Sequence, residues 1–317
     1  MKNNAHIHVA VALIIKNQQV LISLRPSHVH QGGLWEFPGG KLEKNETAEQ
    51  ALYREIKEEL AIDIISAKTF MKIQHDYSDK SVLLDILKVD DFTGEPQGAE
   101  GQEIKWQPLS DLKIEDFPQA NRAIVHRLIC RDQYLITGEF SSFDEFQIKL
   151  SNSLQQSNKL VQLRCKSKES SADFQQLTQQ ASIICQQYQA TLLLNTSLHI
   201  FQLLSEYVQG LHLSSSRLFD FNERPINMDK ILSVSCHSKA EVKQAQKLQA
   251  DIILISPIKE TRSHPGVKGI GWPAFKELAN GFTGVVYALG GMTKKDIKIA
   301  QSFSAQGIAA ISEFWDK

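Results

Sequence analysis

Beyond Cys130 the chain alternates between short apolar runs and helical stretches, and no other feature restricts its fold as much. The runs are Tyr134–Thr137, Val161–Cys165, Thr191–Asn195, Gly210–Leu213, Ile231–Ser235, Asp251–Ser256, Gly284–Leu289 and Gly307–Ile311. Helical stretches such as Ala172–Tyr188, Lys239–Leu248 and Lys294–Ser302 lie between them. A strand that is apolar without alternation is covered on both faces, and strands separated by helices pair in parallel. Eight such units predict a closed (β/α)8 barrel, whose functional groups gather at the C-terminal strand ends.

The first 130 residues follow a different pattern. Strands are expected at His8–Ile15, Val20–Leu24, Thr69–Asp76 and Val82–Val89, with helices over an acidic segment and over Ala120–Ile129. Gly94-Glu95-Pro96-Gln97-Gly98 marks a loop. The pattern changes near Arg131, so two domains are expected, 1–130 and 131–317, both of class α/β.

The acidic segment runs from Gly40 to Ile62. Thr47 and Gln50 have the spacing of a capping box. Ala48, Leu52, Ile56 and Leu60 recur every four residues, with Ala51 beside them, and form the stripe to be buried. Glu55, Glu58 and Glu59 stand at i, i+3 and i+4 and share another face. Three clustered carboxylates repel one another, and a hard divalent cation relieves that repulsion. Taken alone, such a triplet is more often a solvated acidic helix face. The wider spacing outweighs that reading: Gly40, five residues, Glu46, seven residues, then Arg54-Glu55-Ile56-Lys57-Glu58-Glu59 and Ile62. This segment resembles the Nudix box, the signature of hydrolases that cleave nucleoside diphosphates linked to another group. One position departs: Ala61 stands where the box has a glycine that ends the helix in a left-handed turn. Arg54 is four residues from Glu58 and either orients carboxylates or forms an ordinary helix ion pair.

The resemblance extends over residues 4–130, through Leu34 to Lys41, Gly94-Glu95-Pro96, Glu100-Gly101-Gln102 and Asp116-Phe117-Pro118 with Ala120-Asn121. These pieces are similar to the branch of Nudix hydrolases that removes 8-oxo-dGTP from the nucleotide pool. The resemblance implies an α/β/α sandwich and Mg2+, with Mn2+ as an alternative, held by Glu55, Glu58, Glu59, Glu100 and the carbonyl of Gly39. It implies Glu55 or Glu100 as the base, Arg25 as a nucleotide contact, Phe37 as a wall of the base pocket and Asn121 as the reader of the purine edge. An amide both donates and accepts, which suits an oxidised guanine. The alternatives are a core role for Phe37 and a capping role for Asn121.

The second half, about Tyr134 to Phe314, resembles the thiamine-phosphate synthases and their relative, the thiazole tautomerase, on Gln162-Leu163-Arg164-Cys165-Lys166, Asn195, Gly210-Leu211-His212-Leu213, Ser235-Cys236-His237 and Leu289-Gly290-Gly291-Met292. It implies that Gln162 contacts a ring, that Arg164, Lys166 and Asn195 hold phosphate, that Gly290 and Gly291 let backbone approach it, and that Ser235 and His237 line the site. A thiamine-precursor phosphate is the ligand so implied. The synthases' two metal-binding aspartates are replaced by Thr196 and by the run Ser214-Ser215-Ser216-Arg217, and a phosphate-contacting lysine is missing near His264. His237 matches the tautomerase's proton carrier.

A formal net charge of −1 gives no electrostatic reason to expect nucleic acid or a membrane surface as a partner. No apolar run reaches the ~18 residues of a membrane span, and the start reads as a strand. Cys130, Cys165, Cys185 and Cys236 lack C-x-x-C spacing, which fits reduced cytoplasmic thiols. Three functions compete: a nucleotide-pool hydrolase with an auxiliary barrel, a thiamine-pathway protein that hydrolyses thiamine diphosphate analogues, and a sensor of a thiazole or pyrimidine phosphate.

Overall fold

The computed structural model describes residues 5–76, 80–156, 158–165, 172–261, 266 and 268–315. The chain divides into two compact units, Met1–Ile129 and Cys130–Lys317.

The first unit comprises β1 (Ala5–Lys16), β2 (Gln19–Leu24), β3 (Trp35–Glu36), β4 (Gly39–Lys41), α1 (Ala48–Leu60), β5 (Asp63–Asp76), β6 (Lys80–Thr93), β7 (Ile104–Pro108) and α2 (Arg122–Ile129). β1 is central: it pairs in parallel with β6 and antiparallel with β2 and β4. Its alternation builds two cores. Val11 and Leu13 pack with Phe117, Ile124 and Val125 on the α2 side. Ala10, Ala12 and Ile14 pack with Leu52, Ile56 and Leu60 of α1. One strand serving both faces produces the α/β/α sandwich.

Thr47 and Gln50 make both bonds of the capping box: Gln50 N–H donates to Thr47 Oγ1 at 3.2 Å and Thr47 N–H to Gln50 Oε1 at 2.9 Å. Ala61 takes the left-handed turn itself, at φ 57°, and its N–H closes on the Lys57 carbonyl. The alanine therefore bears the steric cost in place, and the helix end does not shift. Three expectations need correction. β5 begins at Asp63, not Thr69, because register shifts between Ile64 and Met71 interrupt its alternation. β3 and β4 carry too few residues to show a period, and β7, half-buried at every position, shows no alternation. A 3-10 turn, Gln119–Asn121, precedes α2, so the helix starts at Arg122.

The second unit is a closed barrel of β8 (Gln133–Ile136), β9 (Leu160–Leu163), β10 (Thr191–Asn195), β11 (Gly210–Leu213), β12 (Ile231–Cys236), β13 (Ile252–Ile255), β14 (Val285–Leu289) and β15 (Gly307–Ala310). Its outer helices include α3 (Phe143–Gln155), α4 (Ala172–Gln187), α5 (Leu198–Leu204), α6 (Ser215–Leu218), α7 (Lys239–Lys247), α8 (Gly271–Ala279), α9 (Ile297–Ser302) and α10 (Ser312–Trp315). Tyr134, Leu193, Leu254 and Tyr287 fill the interior. Leu135, Leu194, Ile253 and Ala288 face outward, in the core formed with the helices. Both faces are dry, which is why the runs lack alternation. Asp251 lies just outside its strand. It accepts the Leu232 N–H at 2.8 Å and pairs with Arg224 at 2.7 Å, with both side chains 7% exposed.

Candidate active site

A cleft of about 290 Å³ in the first unit is lined in part by Arg25, Glu36, Phe37, Gly39, Gly40 and Asn121. Phe37 is buried and stacks on Phe117 at 5.3 Å. Asn121 is 8% exposed, and among the described residues its side-chain amide has no hydrogen-bond partner. Its N–H donates to the Pro118 carbonyl at 2.9 Å, which fixes the turn that presents the amide. Arg25 contacts the Glu36 carboxylate and donates to the His30 carbonyl at 3.0 Å.

Gly39 and Gly40 join this cleft to the acidic motif. Gly39 has φ 147°, and a Cβ there would lie 2.1 Å from the Ala10 carbonyl oxygen. A Cβ on Gly40 would lie 2.0 Å from the Glu55 carboxyl carbon. The Gly39 N–H donates to Glu59 Oε2 at 3.0 Å. Glycine is thus required where the backbone meets the carboxylates.

The loop carrying Glu100 is fastened to the end of α1. Gln97 N–H donates to the Leu60 carbonyl at 3.1 Å, while Ala99 N–H and Gln102 Nε2 reach the Glu59 carbonyl, each at 2.9 Å. Gly98 permits this close loop, since a Cβ would fall 1.9 Å from the Gln102 carbonyl oxygen.

Burial pushes the Glu59 carboxyl up to about 8 against the pull of the Gly39 N–H, and the charges of Glu36, Glu100 and Glu55 add to the rise. Burial also raises the Glu36 carboxyl, opposed by Arg25. Four carboxylates, Glu36, Glu55, Glu59 and Glu100, therefore share one field, offset in part by Arg25 at Glu36 and Arg54 at Glu55. Arg54 binds Glu46 through two nitrogens, at 2.8 and 3.0 Å, Glu55 at 2.8 Å and Glu58 at 3.3 Å. The Glu58 side chain is 54% exposed and turned to Arg54, which also holds Glu55. Among the described residues no three potential ligands converge on one point. Arg54 holds Glu55 and Glu58 while Glu59 faces Gly39. The donors are nonetheless all oxygen and carry excess negative charge, so their chemistry fits Mg2+. Two partners escaped sequence reasoning. Glu46 lay in the spaced motif without a role, and Glu36 had no signal beyond its place before Phe37.

In the barrel, Gln162 is 1% exposed; its Oε1 accepts from Asn195 Nδ2 at 2.9 Å and its buried Nε2 has no hydrogen-bond partner among the described residues. His212 lies between the hydroxyls of Ser233 and Ser235, at 2.9 Å from each. Burial, seconded by the charge of Arg164, pushes its pKa down to about 3, so the ring is neutral. His237 Nδ1 donates to the Ser256 carbonyl at 2.7 Å, which fixes the orientation of the ring. Gly290 and Gly291 have φ values of 102° and 66°. Lys166 and His264 lie outside the described residues. Thr196 is fully buried, and the Ser214 hydroxyl bonds to that of Ser216 at 2.8 Å. Neutral hydroxyls at these two positions do not fit a divalent cation held by carboxylates.

The chain matches the NUDIX domain over residues 10–127 and the thiamine monophosphate synthase family over residues 133–314. It is 37% identical over 123 residues to the 8-oxo-dGTP diphosphatase of Escherichia coli (strain K12), covering 38% of this chain and 95% of that protein. The CTP pyrophosphohydrolase of the same organism is 38% identical over 100 residues, 32% of this chain and 74% of that protein. The putative thiamine-phosphate synthase 2 of Aquifex aeolicus (strain VF5) is 33% identical over 181 residues, 57% of this chain and 96% of that protein. The chain therefore belongs to the Nudix hydrolases through its first unit and to the thiamine monophosphate synthase family through its second.

Proposed function

We propose that the first unit is a Mg2+-dependent pyrophosphohydrolase that converts 8-oxo-dGTP to 8-oxo-dGMP and pyrophosphate, with the barrel as an auxiliary thiamine-pathway domain. The observation that carries this reading is the unpartnered amide of Asn121 in a cleft walled by Phe37 and joined to the carboxylates through Gly39 and Gly40. The amide offers donors and an acceptor to a purine edge, and the buried Phe37 ring offers an apolar wall to the base. Arg25 faces the same cleft and supplies a cation for the nucleotide.

Glu55, Glu58, Glu59, Glu100 and the Gly39 carbonyl would hold the metal, with Mn2+ also accommodated by such oxygens. Bound there, the ion neutralises phosphate charge and lowers the pKa of water. Glu55 lies against Gly40 and is oriented by Arg54, so it is the proton acceptor of choice; Glu100, carried by a tethered loop, is the other.

The test is pyrophosphate release from 8-oxo-dGTP, dGTP, CTP and a thiamine diphosphate analogue, with Mg2+, by the full chain and by Glu55→Gln. Preference for 8-oxo-dGTP that disappears in the variant supports the reading. Indifference to the oxidised purine overturns it, and turnover of the thiamine analogue would assign the unit to thiamine metabolism. For the barrel, His237 favours the tautomerase-like reading, because the Ser256 carbonyl fixes its Nδ1 side while no hydrogen bond among the described residues engages Nε2. No isomerisation of a thiazole phosphate would leave that domain a sensor or scaffold.

A further inference from the structure

Two segments that line the cleft of the first unit are tied together by a side chain outside every motif. Between β2 and β3 the chain forms a closed loop. Arg25 N–H donates to the Leu34 carbonyl at 2.9 Å, Gly33 N–H to the Arg25 carbonyl at 3.1 Å and Gly32 N–H to the Val29 carbonyl at 2.9 Å. A Cβ on Gly32 would fall 2.3 Å from the Pro26 carbonyl oxygen, so the loop folds tightly on itself. Within it Gln31 takes φ 57°. A residue with a Cβ is disfavoured there and persists only where its surroundings hold it. The half-buried Gln31 lines the cleft and reaches its other segment: Gln119 N–H donates to Gln31 Oε1 at 3.3 Å. The Arg25 guanidinium donates at 3.0 Å to the carbonyl of the preceding residue, His30.

Gln119 opens the 3-10 turn that ends at Asn121. The turn is entered from Pro118, whose ring offers no acceptor, so no side chain caps it locally. The first N–H of a helical turn has no internal carbonyl to bond. Gln31 supplies the acceptor from the facing loop. One line of bonds thus runs from the Arg25 guanidinium to the His30 carbonyl, across that peptide to Gln31, and into the turn that carries the Asn121 amide. We propose that Gln31 is a positioning residue for purine selectivity: it fixes the Asn121 turn relative to Arg25 before substrate arrives. The proposal rests on the reading of Asn121 given above. An amide already held in place meets the purine edge without being ordered first, and a loose one loses affinity to that ordering.

The ratio of kcat/KM for 8-oxo-dGTP over dGTP, measured on the full chain, tests it. Gln31→Met keeps the length of the side chain and removes the acceptor. The ratio should fall roughly 3- to 10-fold, the worth of one neutral hydrogen bond. The loss should appear in KM and not in kcat, because the carboxylates are untouched. Gln31→Glu keeps an acceptor at the same reach and should retain the wild-type ratio, since any effect of its charge on the triphosphate is common to both nucleotides. With Asn121→Ala already in place, Gln31→Met should lower the ratio no further, because Gln31 acts only through that amide. Hydrogen exchange at the Gln119 amide should quicken in Gln31→Met and not in Gln31→Glu. A wild type that prefers the oxidised purine while Gln31→Met leaves the ratio unchanged overturns the inference alone. So do losses that add in the double variant, which would make Gln31 a contact in its own right. A wild type indifferent to the oxidised purine removes the reading of Asn121 and the inference together.

Discussion

Replacing Glu59 by glutamine should make the metal-free protein more stable and the enzyme inactive. The carboxyl is raised from 4.5 to about 8 in the fold. Below pH 4.5 both folded and unfolded chains hold the proton, and the group has no effect. Between 4.5 and 8 the folded chain keeps a proton that the unfolded chain releases, so stability falls as pH rises through that window. At pH 7 the unfolded carboxyl lies 2.5 units above its own pKa, which at ~1.36 kcal/mol per unit sets a ceiling of about 3 kcal/mol. Because the site opens on a cleft, screening reduces this to roughly 1–2 kcal/mol. Glutamine keeps an oxygen for the Gly39 N–H and carries no charge. Hydrogen exchange at the amides of Leu52 and Ile56, in chelator at pH 7, reports on the first unit alone. The variant should exchange about 5- to 30-fold more slowly there, and the difference should vanish near pH 4.5. Saturating Mg2+ should reverse the order, because only the wild type gains the metal's binding energy. Equal or faster exchange in the variant at pH 7 would refute the claim that Glu59 is held in a repulsive field.

Ala61→Gly should stabilise the first unit by about 1 kcal/mol with unchanged turnover, since only the left-handed strain is removed; thermal unfolding reads it. Asn121→Ala should lower the ratio of kcat/KM for 8-oxo-dGTP over dGTP by roughly 10- to 100-fold, and the melting temperature should hold because the amide bonds to nothing among the described residues. Asp251→Ala should cost the barrel about 3–5 kcal/mol by stranding Arg224 at 7% exposure, visible as a lowered urea midpoint.

The barrel was legible because its physics is local. Each strand is dry on both faces, so an uninterrupted apolar run such as Ile252–Ile255 announces itself. α1 was legible for the opposite reason: the Thr47–Gln50 box and a four-residue apolar repeat agree on one helix. Where the readings diverged, the missing information was tertiary. β5 hides behind bulges that depend on its partner. Glu36 becomes part of the site only when β3 pairs with β2 and brings it to Arg25. The joint hold of Arg54 on Glu46, Glu55 and Glu58 depends on Glu46, eight residues back, folding against the helix, and helix spacing alone does not show it. The neutrality of His212 likewise follows from burial that no local pattern records.

The helix that carries the acidic motif runs against its own polarity. Glu58 and Glu59 occupy the last turn of α1, where aligned peptide dipoles leave partial negative charge and cations are the preferred company. The only basic residue of that turn, Lys57, is turned away to Asp63 at 2.6 Å. The carbonyls that would draw in a cation are partly occupied by the Gln97 and Ala99 amides and the Gln102 side chain. The tethered loop thus does more than carry Glu100. It spends the helix's free acceptors on neutral donors and leaves the surplus charge on the side chains, so that a divalent ion entering from the cleft meets the carboxylates, and not the backbone, as its strongest attraction.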